Sequence, residues 1–285
     1  MEKSSLQLIC GDLSVELLPE FGGRISSISV KGRREWIAQP KGPLVTRAVG
    51  DKFIRPEVAG WDEMVPTTDA CISALDEKEL PDHGEVWARS WDVIASKASS
   101  ATLQVQLTSR TLEFTRGISL EETLPGQWKI QLSYRMKNTG SLPVPAFWSC
   151  HPLIDAEGVE KVTVFGSTPM MQTAPEETKV SQTYLPQDLA PNTSAEFWCD
   201  PDSEIDGAEI LRSNGERMTL GWKLSEIPYF GIFIDNQEFR PDPVISPQPA
   251  IAHKVSERSA QIAERITILD PGQEKSWTLN IALAN

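Results

Sequence analysis

The 285-residue chain is 40% hydrophobic and 24% charged, a globular composition with enough apolar material for a sizeable core. Its 27 Lys and Arg stand against 40 Asp and Glu, a formal net charge of −13 that repels phosphate backbones and anionic lipid surfaces, so neither a nucleic acid nor a membrane is expected as a partner. No apolar run reaches the roughly 20 residues that span a bilayer, and the start, MEKSSLQLICGDLSVELLPE, lacks a secretory signal pattern, which makes the cytoplasm the expected compartment.

Runs with the period of β-strands recur from end to end. LQLI, LSVELL and ISSISV come first, the last after FGGR, whose Gly22 and Gly23 permit a bend or close backbone approach and whose Arg24 is expected to pair internally. FIRPEVAGWDEMVPTTD then supplies Arg55, Trp61, Asp62 and Glu63: an aromatic face suited to stacking, carboxylates that accept hydrogen bonds, and a cation for an oxygen or a phosphate. LPDHGEVWARSW sets His83 between Asp82 and Gly84, with Glu85, Trp87 and Trp91 close by, the mixture of polar and aromatic groups expected at a wet site.

TLQVQLTS, LEFTRGISLEETL and WKIQLSYRMKN continue the strand pattern, the last two split by a PGQ turn. PAFWSCHPLIDAEG places Trp148 and His151 at the end of an apolar strand, with Pro152 stopping the ladder. VTVF, AEILRS, RMTLGW and YFGIFI lead to RPDPVISPQPAIAH, which carries Asp242, Ser246, Gln248 and His253. SERSAQIAER reads as a short helix or a loop, and RITIL, a DPGQ turn and SWTLNIAL close the chain.

No long stretch has helical periodicity and no linker interrupts the pattern, so one all-β domain over residues 1–285, built from antiparallel hairpins, is expected. Cys10, Cys71, Cys150 and Cys199 lie far apart without zinc-like or redox spacing and read as reduced structural thiols; neither a metal nor a cofactor is expected. Chemistry near neutral pH therefore falls to His83, His151 and His253.

Five segments in this order, FGGRISSI, GWDEMVPTTD, PDHGEVW, FWSCHPL and DPGQEKSW, resemble the landmarks of the aldose 1-epimerase, or galactose mutarotase-like, family. The resemblance implies a β supersandwich of antiparallel sheets with a concave sugar-binding cleft. It matches His83 and His151 to the family's two catalytic histidines. His151 is expected to protonate the ring oxygen, with His83 holding an oxygen and stabilising developing charge. The substrate-binding set is expected to comprise Arg55, Trp61, Asp62, Glu63, Asp82, Glu85, Trp148, Asp242 and Gln248.

In the family the base is a glutamate directly before a proline, after a strand like YFGIFIDN; here that position is Ser246, and Asp235, Glu238 and Asp242 are the nearby acids that could replace it. Two readings follow. One is an isomerase that exchanges the anomers of a monosaccharide or derivative; the other is a carbohydrate-binding or sugar-sensing protein without turnover. Either would act as a monomer or homodimer. His83 and His151 should face one another across the sheet, with His253 peripheral.

Overall fold

The computed structural model describes residues 5–52, 58–166, 170–174, 178–179 and 184–285. Two large antiparallel sheets dominate. In spatial order the larger comprises Leu6–Cys10, Leu13–Leu18, Arg24–Val30, Trp61–Met64, Ser149–Pro152, Val244–Ala250, Tyr229–Asn236, Thr193–Trp198, Met171–Ala174 and Thr178–Lys179, with Ile154–Asp155 also pairing on Val244–Ala250. The smaller runs Val159–Gly166, Ile205–Arg212, Arg217–Trp222, Glu274–Ala284, Gln127–Asn138, Leu112–Leu124, Ser100–Gln106 and Asp92–Lys97.

Strand alternation explains why these segments face one another, because side chains two apart share a face. Leu13, Val15 and Leu17 are buried on one strand; Phe114, Ile118 and Leu120 answer them on the other sheet, beside Ile130, Leu132, Tyr134 and Leu279, Ile281, Leu283. Aromatic rings close the middle of the sandwich. Tyr134 stacks on Phe114 and Trp277 with centroids 6.0 and 5.5 Å away, and Trp148, just ahead of Ser149–Pro152, meets Trp277 at 5.2 Å.

The glycines of FGGR are required where they stand. Gly22 and Gly23 take φ of +76° and +60°, and a Cβ on them would collide with the Trp87 backbone and the Trp91 ring. Arg24 then makes a two-pronged pair with Asp62 at 3.0 and 2.8 Å. SERSAQIAER, open between helix and loop in the sequence, contains the helix Glu257–Ile262; Ser256 caps it by accepting from the Ser259 N–H at 3.1 Å. Pro247 and Pro249 fall inside the strand Val244–Ala250, which has neighbours on both sides. Their carbonyls face the short strand Ser149–Pro152, where the Ser149 hydroxyl and the Cys150 thiol approach them at 3.3 and 4.0 Å. The proline nitrogens donate nothing to the ladder, and side-chain donors meet the proline carbonyls on this side.

Candidate functional site

The strands Trp61–Met64 and Ser149–Pro152 pair so that His151 lies opposite Asp62, and Cys150 opposite Glu63. Directly opposed residues share a face. His151 and Asp62 therefore point outward from the sandwich, while Glu63, Trp61 and Trp148 point into it.

The inward set forms part of the core. Glu63 is fully buried; Arg116 donates to it at 2.9 Å, Tyr134 at 3.0 Å and the Trp148 indole at 2.7 Å. Burial raises its pKa above the ordinary carboxyl value, against the pull of Arg116. Trp61 is fully buried on the same side. Trp61, Glu63 and Trp148, expected to bind substrate, are interior groups joining the two sheets.

Other expected residues are also committed elsewhere. Glu85 is buried and accepts from the backbone N–H groups of Thr108 and Ser109, the latter at 2.9 Å, which ties down the segment after His83. Asp235 is buried and caps a turn, accepting from Glu238 N at 2.8 Å and Phe239 N at 3.2 Å; Glu238 belongs to that turn. Asp242 is partly exposed and pairs with Lys41 and, at 3.3 Å, with Arg240. The nearby acids thus cap and brace a surface turn instead of facing His151. Arg55 lies outside the described residues.

The outward face gathers His151 and several polar groups. Pairing of Ser149 with Ala250 and of Ile154 with Ile245 sets His151 beside Gln248, and the register continues across the sheet to Gly231, Trp198 and Met171. The next row on that face holds Ser246, Phe233 and Glu196. Ser246 and Gln248 are buried, and neither the Ser246 hydroxyl nor the Gln248 Oε1 has a hydrogen-bond partner. Buried polar atoms in that condition are costly, which makes these two natural contacts for a hydroxylated ligand.

His83 reaches this face from its loop. Its ring stands edge-on to that of His151, with centroids 5.2 Å apart and planes at 85°. Its φ of +58° is unusual for a side-chain-bearing residue. The surroundings impose it: His83 N–H donates to Thr68, Gly84 packs against the Val65 backbone, and Glu85 N–H donates to Val65 at 2.8 Å. His83 Nδ1 lies 3.1 Å from Asp82 Oδ1. Asp82 is thus placed against the His83 ring.

The two rings differ in electrostatics. His151 is 6% exposed, and burial, reinforced by His83, pushes its pKa down to about 3. It is a neutral imidazole at neutral pH, able to hold a hydroxyl but lacking the extra proton of an acid. Burial opposes ionisation of Asp62 beside it, yet Arg24 and Arg47 outweigh burial and hold its carboxyl below the usual range. Arg47 Nη1 is 3.3 Å from Asp62 and its guanidinium lies 4.6 Å from the centre of the Trp87 ring. His253 is apart from the pair, with Nε2 3.0 Å from the Cys199 carbonyl and its ring against Tyr229.

Glu196 was not among the residues expected from the sequence. It sits on Thr193–Trp198 facing outward, with the Thr173 hydroxyl 3.3 Å from its carboxylate. Burial, then the neighbouring Asp69, pushes its pKa up to about 7. No motif marks TSAEFW; only the alternation that puts Glu196 on the face of Trp198 would have pointed to it.

No protein-family model matches the chain, and no curated protein matches it. Solved structures do. The Slr1438 protein of Synechocystis sp. PCC 6803 superposes with a TM-score of 0.76 at 12% identity, over 100% of this chain and 96% of that one. A galactose mutarotase-like protein from Lactobacillus casei ATCC 334 gives 0.70 at 16% identity over 98% and 100%. A galactose mutarotase related enzyme from Lactobacillus acidophilus gives 0.72 at 11% identity over 99% and 98%. At these identities the likeness is one of fold.

Proposed function

Given that the chain has the galactose-mutarotase-like fold, we propose that it is an isomerase exchanging the anomers of a monosaccharide or close derivative. The observation that carries this reading is the edge-on pair of His83 and His151, 5.2 Å apart on the outward face of the larger sheet.

His83, partly exposed and backed by Asp82, is the proton donor to the sugar's ring oxygen. This reverses the roles expected from the sequence, because a buried, neutral His151 has no acidic proton to give. His151 instead holds a hydroxyl, together with Gln248 and Ser246, whose unpartnered oxygens are satisfied by the ligand. Asp62, locked between Arg24 and Arg47, fixes the floor beside His151. The donor's proton goes to the ring oxygen, the bond from that oxygen to C1 breaks, and a base takes the proton of the C1 hydroxyl. Rotation about C1–C2 and closure on the other face restore both protons.

A second reading, sugar binding without turnover, is favoured by Ser246, a hydroxyl where the family resemblance calls for a carboxylate base. Thermal shift against aldoses, uronic acids and sugar phosphates identifies the ligand class. NMR magnetisation transfer then measures anomer exchange. His83→Gln should slow exchange by about 10²- to 10⁴-fold with affinity changed by less than about tenfold. A wild type that binds sugar yet exchanges anomers no faster than buffer leaves the binding reading standing. No binding to any sugar overturns both.

A further inference from the structure

We propose that Glu196 is the general base of this site, standing in from a nearby strand for the carboxylate that Ser246 lacks. The inference rests on the isomerase reading above and names the one group that reading leaves unassigned.

Position comes first. Phe233 is paired with Ser246 on one side and with Glu196 on the other, so the three form one row across the outward face. With strands about 4.8 Å apart, the Cα atoms of Glu196 and Ser246 are separated by roughly 10 Å. A carboxylate at 196 therefore approaches the space above Ser246 from the opposite side. His151 stands one strand beyond Ser246 in the adjacent row, with Phe233 6.3 Å from it ring to ring. A ligand bridging Ser246, Gln248 and His151 would lie between the histidines and Glu196.

The groups around Glu196 come from its own strand and from neighbouring segments. Asp69 belongs to the segment whose Thr68 and Asp69 N–H groups donate to Val255, at 3.2 and 2.7 Å; His83 is bonded to the same segment through Thr68. Thr173 reaches it from Met171–Ala174, and Trp198 from its own strand. Burial and the Asp69 charge favour the protonated carboxyl; Trp198, Thr173 and His83 favour the carboxylate. The balance near neutrality gives a group able both to take a proton and to return it. A free surface glutamate would be a weaker base.

The step balances within the site. Glu196 carboxylate takes the proton of the C1 hydroxyl, the electrons of that O–H bond form the C1 carbonyl, the C1 bond to the ring oxygen breaks, and the ring oxygen receives the His83 proton. Closure on the other face returns each proton to its owner, with no oxidant or reductant.

The test compares wild type, Glu196→Gln and Thr173→Val with the sugar giving the largest thermal shift. Glu196→Gln should lower kcat by about 10²- to 10⁴-fold, leave affinity within about tenfold, and abolish the acid limb of the rate–pH profile. Thr173→Val removes a donor that favours the carboxylate, so that limb should move to higher pH while turnover persists. Should Glu196→Gln fail to fold, the limb in Thr173→Val decides, and an unmoved limb overturns the assignment. An active wild type with Glu196→Gln within about threefold in rate and an intact acid limb refutes the role of Glu196 while the isomerase reading stands. A wild type that binds sugar but never exchanges its anomers removes both.

Discussion

Asp62 and Glu63 are adjacent, both carboxylates and both buried, yet they point to opposite faces of the larger sheet. Glu63 faces inward, where Arg116, Tyr134 and Trp148 satisfy it. Asp62 faces outward beside His151, on the surface that also carries Gln248 and Ser246 with oxygens unmatched by the protein. The two-residue period of a strand thus divides one short segment into a part that seals the sandwich and a part on the proposed ligand face. The Glu63 oxygens are matched within the fold, whereas the Ser246 hydroxyl and the Gln248 Oε1 on the other face are not.

The largest expected effect lies on the inner side. Arg116→Met strands the Glu63 charge in the core, and breaking such a pair should cost about 3–5 kcal/mol of stability in urea unfolding. Sugar affinity of the folded protein should be unchanged. A cost below about 1 kcal/mol would mean that Glu63 is not sealed as described.

The next tests the electrostatics of the outer face. Folding lowers the His151 pKa from 6.5 to about 3, so between those values the unfolded chain binds the extra proton and the folded one does not. Stability associated with His151 is therefore fully present above about pH 6.5 and is lost as pH falls toward 3. Near pH 4.5, two units below 6.5, the loss should be about 3 kcal/mol, at 1.36 kcal/mol per unit. His151→Gln should flatten this part of the stability–pH curve, measured by unfolding at pH 7.5 and about 4.5. Parallel curves for wild type and variant would contradict a buried neutral ring. Glu196 tilts the opposite way: its raised pKa near 7 makes it oppose folding as pH rises from 4.5 through 7, so it does not mimic the His151 signature.

The smallest effect concerns the unmatched oxygens. Ser246→Ala removes a buried hydroxyl without a partner and should be neutral or stabilising by up to about 1 kcal/mol, while weakening sugar binding several-fold. A loss of stability with unchanged binding would assign the hydroxyl to the fold instead of the ligand.

Much of the architecture could be read from the chain. LSVELL, WKIQLSYRMKN and SWTLNIAL alternate cleanly and form the strands Leu13–Leu18, Gln127–Asn138 and Glu274–Ala284. The glycines of FGGR announced a close approach, and the partner of Arg24 proved to be Asp62. Site residues were legible as segments more than as individuals. The sequence offers Trp61, Asp62 and Glu63 together, and of these only Asp62 pairs across from His151. Asp242 and Asp235 were chosen for proximity in sequence to Ser246, and a turn claims both. Glu196 is 50 positions from Ser246 along the chain but only two strands away across the sheet.

Local chemistry by itself determined the strands, the turns and the presence of two histidines in polar, aromatic company, because these depend on residue type and spacing within a few positions. Three things depended on the tertiary structure: which face of each strand looks inward, which histidine burial keeps neutral, and which carboxylate stands across from Ser246. Each is set by what neighbouring strands bring within a few ångströms, and sheet order joins segments that sequence separation cannot relate. Burial, moreover, belongs to the packed assembly, so the same imidazole or carboxyl acquires its acidity only when the sheets close around it.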